Sequence, residues 1–418
     1  MASDDLRRKI VGALGFLALV FLGYTEYKYL SGNSGTAQKQ SKKAVLEVPN
    51  QQFPSQMAVP KPSAKKKAFV SKCQEQNNVV FIKTHKTGSH ILTNIFQRYG
   101  ETKNLNFVLP KMYPGEDWDT DMLGWPDFFT ESHIEEMKKD NEPYNILCNY
   151  ARYSKRIQGI MPQDTKYFTI LSDPASQTFL MYHALGLNSK DYGISFDDFI
   201  HKYQYMLTRY RGGEPISVLT KNSQAFDLGF NNELDASKDR PKVKEYIKSI
   251  EEQFDLVLIS EYLEKSLVLL AKSLCWPLEH VVFLPLRMFK PKDPTTLSEV
   301  IKQRARQHSG FDWALYNHFN QTLWKKIAEY GPTFQEDLEV LRHKIGIATK
   351  LCIEPAKMVN KTFTEGIDLD SVEADFHDLV LKTSLKSKTY DYCLKLALSN
   401  RGYTDRIRRQ FQIKYDVS

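Results

Sequence analysis

Lys83, His85, Lys86, Thr87, Ser89 and His90 crowd around one glycine, Gly88, in the stretch VVFIKTHKTGSHILTNIF (Val79 to Phe96). These residue types suit an anion that carries a reactive group. Gly88 lets backbone approach a ligand closely. The N–H groups of Thr87, Gly88, Ser89 and His90 would open at the start of a helix, where anions are favoured. Thr87 and Ser89 add hydroxyls, Lys83 and Lys86 add charge, and His85 adds an imidazole that can take a proton near neutral pH. The stretch is not the common nucleotide-binding loop, GxxxxGK[ST]: Lys83 stands where its first glycine would be, and no Lys-Ser/Thr pair follows Gly88. An ordinary ATP or GTP kinase is therefore disfavoured. Polar strand-to-helix turns capped by Ser or Thr are common, but two lysines, a histidine and two hydroxyls at one sheet edge favour a binding site.

The elements that must position this turn follow from the pattern of apolar residues. VVFIKT reads as a strand and SHILTNIFQRY as a helix. NILCNY, YFTILS and FDLVLIS (Phe254 to Ser260) read as further strands, and VVFLPL (Val281 to Leu286) as another. ASQTFLMYHAL, EYLEKSLVLLAKSLCW, Pro294 to Gln307 and Asp312 to Tyr330 read as helices. Strands apolar on both faces, alternating with helices, imply an α/β fold with a central parallel sheet covered by helices. A parallel sheet puts the turn at its carboxyl edge, where ligands bind. The part from about Cys352 is expected to be α-rich.

The chain has 418 residues, 42% hydrophobic and 12% aromatic, with a net charge of +7. That is enough for a large core, and the charge permits an anionic ligand or membrane surface. No basic stripe with interleaved aromatics and no zinc-finger spacing is present, which sets nucleic acid aside. The five cysteines (Cys73, Cys148, Cys275, Cys352, Cys393) form no CxxC. An oxidising compartment would allow one or two disulfides and a thiol left over, with the pairing open. Arg7, Arg8 and Lys9 precede an apolar run, Ile10 to Tyr24, with Tyr27 and Tyr29 after it. This predicts a cytosolic tail (1–9), a signal-anchor helix (10–30) and a flexible stem rich in Ser, Gly, Pro and Lys (31–68), with residues 69–418 as the lumenal domain. The run is shorter than the roughly 20 residues of an average span, so a cleaved signal peptide is the rival reading. The sequons at Asn320 and Asn360 agree with a lumenal location.

FIKTHKTGS resembles the phosphosulfate-binding loop of Golgi sulfotransferases, in particular the galactose-3-O-sulfotransferase family. NILCNYARY, SQAFDLGF, FDLVLISEYLEKSLVLLAKSLCW and DWALYNHFNQTLWKKIAEYG resemble further family segments in the same order, from about Val79 to Gly331. The resemblance implies a P-loop-like sulfotransferase fold behind an N-terminal anchor in the Golgi membrane, in single-pass type II topology. It implies 3′-phosphoadenosine-5′-phosphosulfate as co-substrate, no metal, and a galactose-terminated glycolipid or glycan as acceptor. A homodimer is compatible with it. Lys83 and Lys86 would then meet the charge on the leaving phosphate, and Thr87, Gly88, Ser89 and His90 would hold the 5′-phosphate. His85 would be the base that deprotonates the sugar hydroxyl, with His90 and His183 as weaker candidates.

One departure stands out. The family's 3′-phosphate site has an arginine after the strand and a serine eight positions later; here those positions are Ser172 and Leu180. Losing an arginine–phosphate contact costs about 1.5–3 kcal/mol. Ser172 could still donate one bond, and Arg152, Lys155 or Arg156 could compensate from a neighbouring loop. A catalytically impaired glycan-binding or scaffold protein is thus the alternative to an active enzyme. A metal-dependent glycosyltransferase is a third reading, through the DxD-like pairs Asp117, Asp119 and Asp121. Tyr182, His183 and Tyr203 to Tyr210 could stack on sugar, although such aromatics are more often core, and Asp227 reads as structural.

Overall fold

The computed structural model describes residues 73–112, 122–136, 142–187, 193–203, 215–285, 297–353, 381–382 and 384–415. The expected anchor and stem, Asp117, Asp119, Asp121, Asn360 and Tyr205 to Tyr210 lie outside the described residues.

Four strands make one parallel sheet: β1 (Val79–Ile82), β2 (Ile146–Leu147), β3 (Lys166–Leu171) and β4 (Leu256–Ile259), in the order β2-β1-β3-β4. The register pairs Phe81 with Phe168 and Thr169 with Val257. All residues of β1, β2 and β4 are buried. Strands covered on both faces need apolar side chains at every position, and VVFI and LVLI supply them. At the centre of the sheet β1 and β3 lie side by side, so their carboxyl ends open next to each other.

The helices are α1 (Ser89–Lys103), α2 (Arg156–Ile160), α3 (Pro174–Ala184), α4 (Phe196–His201), α5 (Pro215–Thr220), α6 (Ser223–Asp227), α7 (Arg240–Gln253), α8 (Leu263–Leu274), α9 (Glu299–His308), α10 (Gly310–Tyr330), α11 (Phe334–Cys352), α12 (Ser387–Ala397) and α13 (Asn400–Tyr415). Helices α8 and α10 pack on β4, α11 on α8, and α12 and α13 on α1. After Cys352 the described residues form one isolated bridge, Ile353 with Leu381, and the helices α12 and α13, which dock against the helix that follows the phosphate turn. Asn94 Nδ2 donates to the carbonyls of Lys395 and Leu398, and Gln97 Nε2 to that of Asn400. A smaller apolar cluster of Trp125, Phe179, Tyr182, Phe196, Phe199, Tyr203 and Phe226 lies beside the main core. Tyr182 and Tyr203 are buried within it, so they are packing residues rather than a sugar platform.

One expected strand is absent from the sheet. Leu278–Val281 forms a 3₁₀ turn, and among the described residues Val282 to Pro285 pair with no strand, while Leu286 lies outside the described residues. Val281, Val282 and Leu284 are buried, so the apolar run serves core packing, and Pro285 offers no N–H to a ladder.

Two disulfides, Cys73–Cys275 and Cys352–Cys393, leave Cys148 as a buried thiol. The first ties the entry to β1 to the end of α8; the second ties α11 to α12. Alkylation of the native protein without reduction is expected to label no cysteine, and alkylation in denaturant to label Cys148 alone. Peptide mapping that finds any other pairing contradicts this arrangement. Reduction is expected to lower stability by about 2–4 kcal/mol per bridge.

Candidate active site

The chain leaves β1 at Lys83 and enters α1 at Ser89. Gly88 caps the helix in the left-handed region, φ 76°, and Lys86 also has positive φ, 55°. A left-handed lysine costs about 1 kcal/mol, and such strain collects where backbone is bent around a function. The turn is tied from inside. Thr87 Oγ1 and Ser89 Oγ both donate to the carbonyl of Thr84, at 2.9 Å each. Thr84 Oγ1 bonds the carbonyl of Ile170 on β3. The two hydroxyls thus hold the loop's shape, and the donors suited to an anion are backbone N–H groups at the start of α1, where that of Ile91 bonds the Gly88 carbonyl at 3.1 Å. Ser260, at the end of β4, also reaches the turn: a β-carbon at Gly88 would stand 3.7 Å from its Oγ.

The two lysines are placed differently. Lys86 is half-buried on the turn. Lys83 is fully buried, with Nζ 3.1 Å from Asn400 Oδ1 and 3.7 Å over the Tyr150 ring. It braces α13 and the strand end against the turn rather than lying at the turn's surface. His90 stands half-buried in the first turn of α1, and its carbonyl accepts from Asn400 Nδ2. His183 packs edge-on against Phe179 and Tyr182 at the end of α3.

The His85 side chain is held by Tyr150, Trp125 and Asp227. Its ring stacks on Tyr150 and tilts against Trp125, with both centroids at 4.5 Å. Its Nδ1 lies 3.0 Å from each carboxylate oxygen of Asp227, and its backbone N–H donates to Oδ2 at 2.9 Å. Trp125 Nε1 donates to Oδ1 at 2.9 Å. Asp227, 1% exposed, is therefore more than a packing residue. A carboxylate on Nδ1 fixes the tautomer and leaves Nε2 as the atom that can accept a proton.

Helix α6, the SQAFD of SQAFDLGF, carries this carboxylate and joins both sheet-edge loops. Gln224 Oε1 accepts from Ser172 N–H at 2.8 Å, and Gln224 Nε2 donates to Ser172 O at 3.0 Å. Asp312 on α10 accepts the N–H groups of Gln224 (3.1 Å) and Ala225 (2.8 Å). Gln177 on α3 donates to the carbonyl of His85 at 3.2 Å.

At the second loop Ser172 is buried, and its hydroxyl donates to Glu261 Oε1 at 2.8 Å. Leu180 is partly exposed on α3 and offers no hydrogen bond. The compensating cations do not converge here. Arg152 donates to the carbonyls of Phe226 and Phe230 and lies between the Phe128 and Phe226 rings, where burial lowers its pKa. Arg156 pairs with Glu131 at the surface, and Lys155 is exposed at the start of α2. Asn320 stands mid-helix in α10 with Oδ1 buried, so its sequon is not presented on a loop.

The pattern of the family described as Galactose-3-O-sulfotransferase matches residues 6–411. The chain belongs to that family. Galactose-3-O-sulfotransferase 2 of Sus scrofa is 31% identical over 348 residues, covering 80% of this chain and 84% of that protein. Galactosylceramide sulfotransferase of Homo sapiens is 32% identical over 292 residues, 69% of this chain and 67% of the other. Galactose-3-O-sulfotransferase 3 of Mus musculus is 29% identical over 361 residues, 79% and 77%. A member of this sulfotransferase family with a parallel sheet and the turn at its edge accords with the expected fold. Among the described residues no helix is long and apolar enough to cross a membrane, and no group of three His, Cys, Asp or Glu could hold a metal ion.

Burial pushes the Asp312 carboxyl up to about 7, against the two N–H groups that favour its anion, and the Asp227 charge adds to the rise. The folded state then holds this proton more tightly than the unfolded chain, where an aspartate titrates near 4 (~3.9). Its contribution to stability is fully present below about pH 4 and is lost as pH rises through about 7. Thermal denaturation between about pH 4 and 7 is expected to show stability falling by up to about 1.4 kcal/mol per pH unit, a slope that Asp312→Asn flattens. An equal slope in both proteins contradicts the assignment.

Proposed function

We propose that the protein moves a sulfuryl group from 3′-phosphoadenosine-5′-phosphosulfate to the 3-hydroxyl of a terminal β-galactose on a glycolipid or glycan. The observation that carries this reading is the buried His85–Asp227 pair set inside an anion-binding turn, in a chain of this family. The donor is a co-substrate, and the scheme uses no metal.

The 5′-phosphate rests on the first-turn N–H groups of α1, and Lys86 faces the bridging oxygen. Charge develops on that oxygen as the sulfur–oxygen bond breaks, so a fixed cation there stabilises the transition state more than the ground state. The galactose hydroxyl attacks sulfur from the opposite side. A neutral sugar hydroxyl is a weak nucleophile, and His85 Nε2 takes its proton as the new bond forms. The imidazolium that results is stabilised by the Asp227 carboxylate on Nδ1. Tyr150 and Trp125 hold the ring in plane, so little reorganisation is needed at the moment of transfer.

The N-terminal apolar run supports a signal-anchor and a Golgi lumenal domain, and two disulfides accord with an oxidising compartment. The names of the relatives include both a galactosylceramide sulfotransferase and galactose-3-O-sulfotransferases, so the acceptor class is proposed as galactose-terminated without a choice between lipid and protein carriers.

His85→Ala is expected to lower kcat for sulfation of a β-galactoside by about 10²–10⁴-fold and to leave the affinity for the product nucleotide nearly unchanged. Lys86→Ala is expected to lower kcat and to weaken nucleotide binding together. Radiolabelled sulfate transfer and calorimetry check both. Full activity in His85→Ala overturns the base assignment, and no sulfate transfer to any β-galactoside by the wild-type protein overturns the reaction.

A further inference from the structure

The second sheet-edge loop has chemistry of its own. Glu261 follows the end of β4 and brings Oε1 to 2.8 Å from both Ser172 Oγ and Asp173 N. Asp173 Oδ1 in turn accepts the N–H of Ala175 at 2.9 Å. The hydroxyl and the N–H donors that open α3 therefore already face this chain's own carboxylates. Arg306 reaches the same edge from α9, but both oxygens of Asp173 engage it, and its guanidinium lies 4.5 Å over the Trp313 ring. No hydrogen bond from another residue reaches Glu261 Oε2 among the described residues. Glu261 is exposed to solvent, yet protein crowds it enough to raise its pKa, burial first and the Asp173 charge in addition.

The loop sits beside the phosphate turn because β1 and β3 are paired neighbours. A nucleotide whose 5′-phosphate rests on the turn and whose ribose leans toward β3 presents its 3′ position to Ser172 and Glu261. A carboxylate accepts a hydrogen bond from a ribose hydroxyl and repels a phosphate, whereas an arginine does the reverse. Dinucleotide-binding domains separate NAD from NADP on this principle, by an acidic residue or an arginine at the ribose.

We propose that Glu261, with Ser172 beside it, is the specificity-determining residue for the donor ribose, and that it reads a 3′-hydroxyl rather than a 3′-phosphate. Adenosine 5′-phosphosulfate then serves this chain at least as well as its 3′-phosphorylated form. This rests on the sulfuryl-transfer reading and refines its donor. The step balances in the same way. The sulfur–oxygen bond to the 5′-phosphate breaks as the bond from sulfur to the galactose oxygen forms, the hydroxyl proton passes to His85, and adenosine 5′-monophosphate leaves.

The test is calorimetric titration of the purified full-length protein with adenosine 5′-monophosphate and with adenosine 3′,5′-bisphosphate. The monophosphate is expected to bind as tightly as the bisphosphate or more tightly. Ser172→Arg is expected to shift the preference toward the bisphosphate by about tenfold or more. Glu261→Gln, which keeps the side chain's shape and removes its charge, is expected to shift it the same way by a smaller factor. Tighter binding of the bisphosphate by the wild-type protein overturns the proposal and leaves the sulfotransferase reading standing. Binding of neither nucleotide overturns that reading, and this one with it.

Discussion

A buried carboxylate must be paired, and the Asp227 carboxylate is paired on one side with the phosphate turn and on the other with Trp125. An ion left without such partners inside a protein is costly, and removing one partner of a buried pair typically costs about 3–5 kcal/mol. The position of His85 is therefore not free to drift: its backbone N–H and its Nδ1 answer to one side chain. That side chain ends a short helix with little stability of its own. Helix α6 is held at its start by Asp312, and Gln224 within it clamps Ser172. Energy spent on burying Asp227 and Asp312 is recovered as geometry, because the loops that follow β1 and β3 are held together at one sheet edge.

The two loops at that edge have opposite electrostatic character. The first presents N–H groups, a half-buried lysine and a left-handed backbone, and suits a phosphate. The second has turned inward: Ser172 and Asp173 N–H face Glu261, and Asp173 is shared between Ala175 N–H and Arg306. A ligand that spans both loops meets attraction at one end and a carboxylate at the other. This asymmetry is a property of the assembled edge, and it explains how an intact first loop coexists with a second that lacks arginine.

The turn was legible because its signal is local. Strand, glycine, hydroxyls and helix start are consecutive, and consecutive residues obey backbone rules that need no tertiary knowledge. The parallel sheet was legible for the same reason, from strands apolar at every position. Ser172 could be read as a departure, but not what answers it, since Glu261 lies 89 residues away. Asp227 was read as structural because nothing in FDLG announces a histidine 142 residues earlier. Lys83 was read beside Lys86 as a cation for the leaving phosphate; only the packing of α13 shows it buried against Tyr150 and Asn400. The run VVFLPL misled through composition, since β-branched residues fill a core without joining a ladder. Arg152 misled through proximity in sequence, its guanidinium being used between two phenylalanine rings.

His85 and Asp227 must act as a unit for the proposed proton transfer, and the most direct test is a double-mutant cycle on kcat. It compares the full-length wild-type protein, His85→Ala, Asp227→Asn and the double variant with a β-galactoside acceptor at saturating donor. If Asp227 works through His85, the double variant loses no more activity than His85→Ala alone, with a coupling energy above about 1 kcal/mol. Losses that simply multiply would show two independent residues and contradict the account.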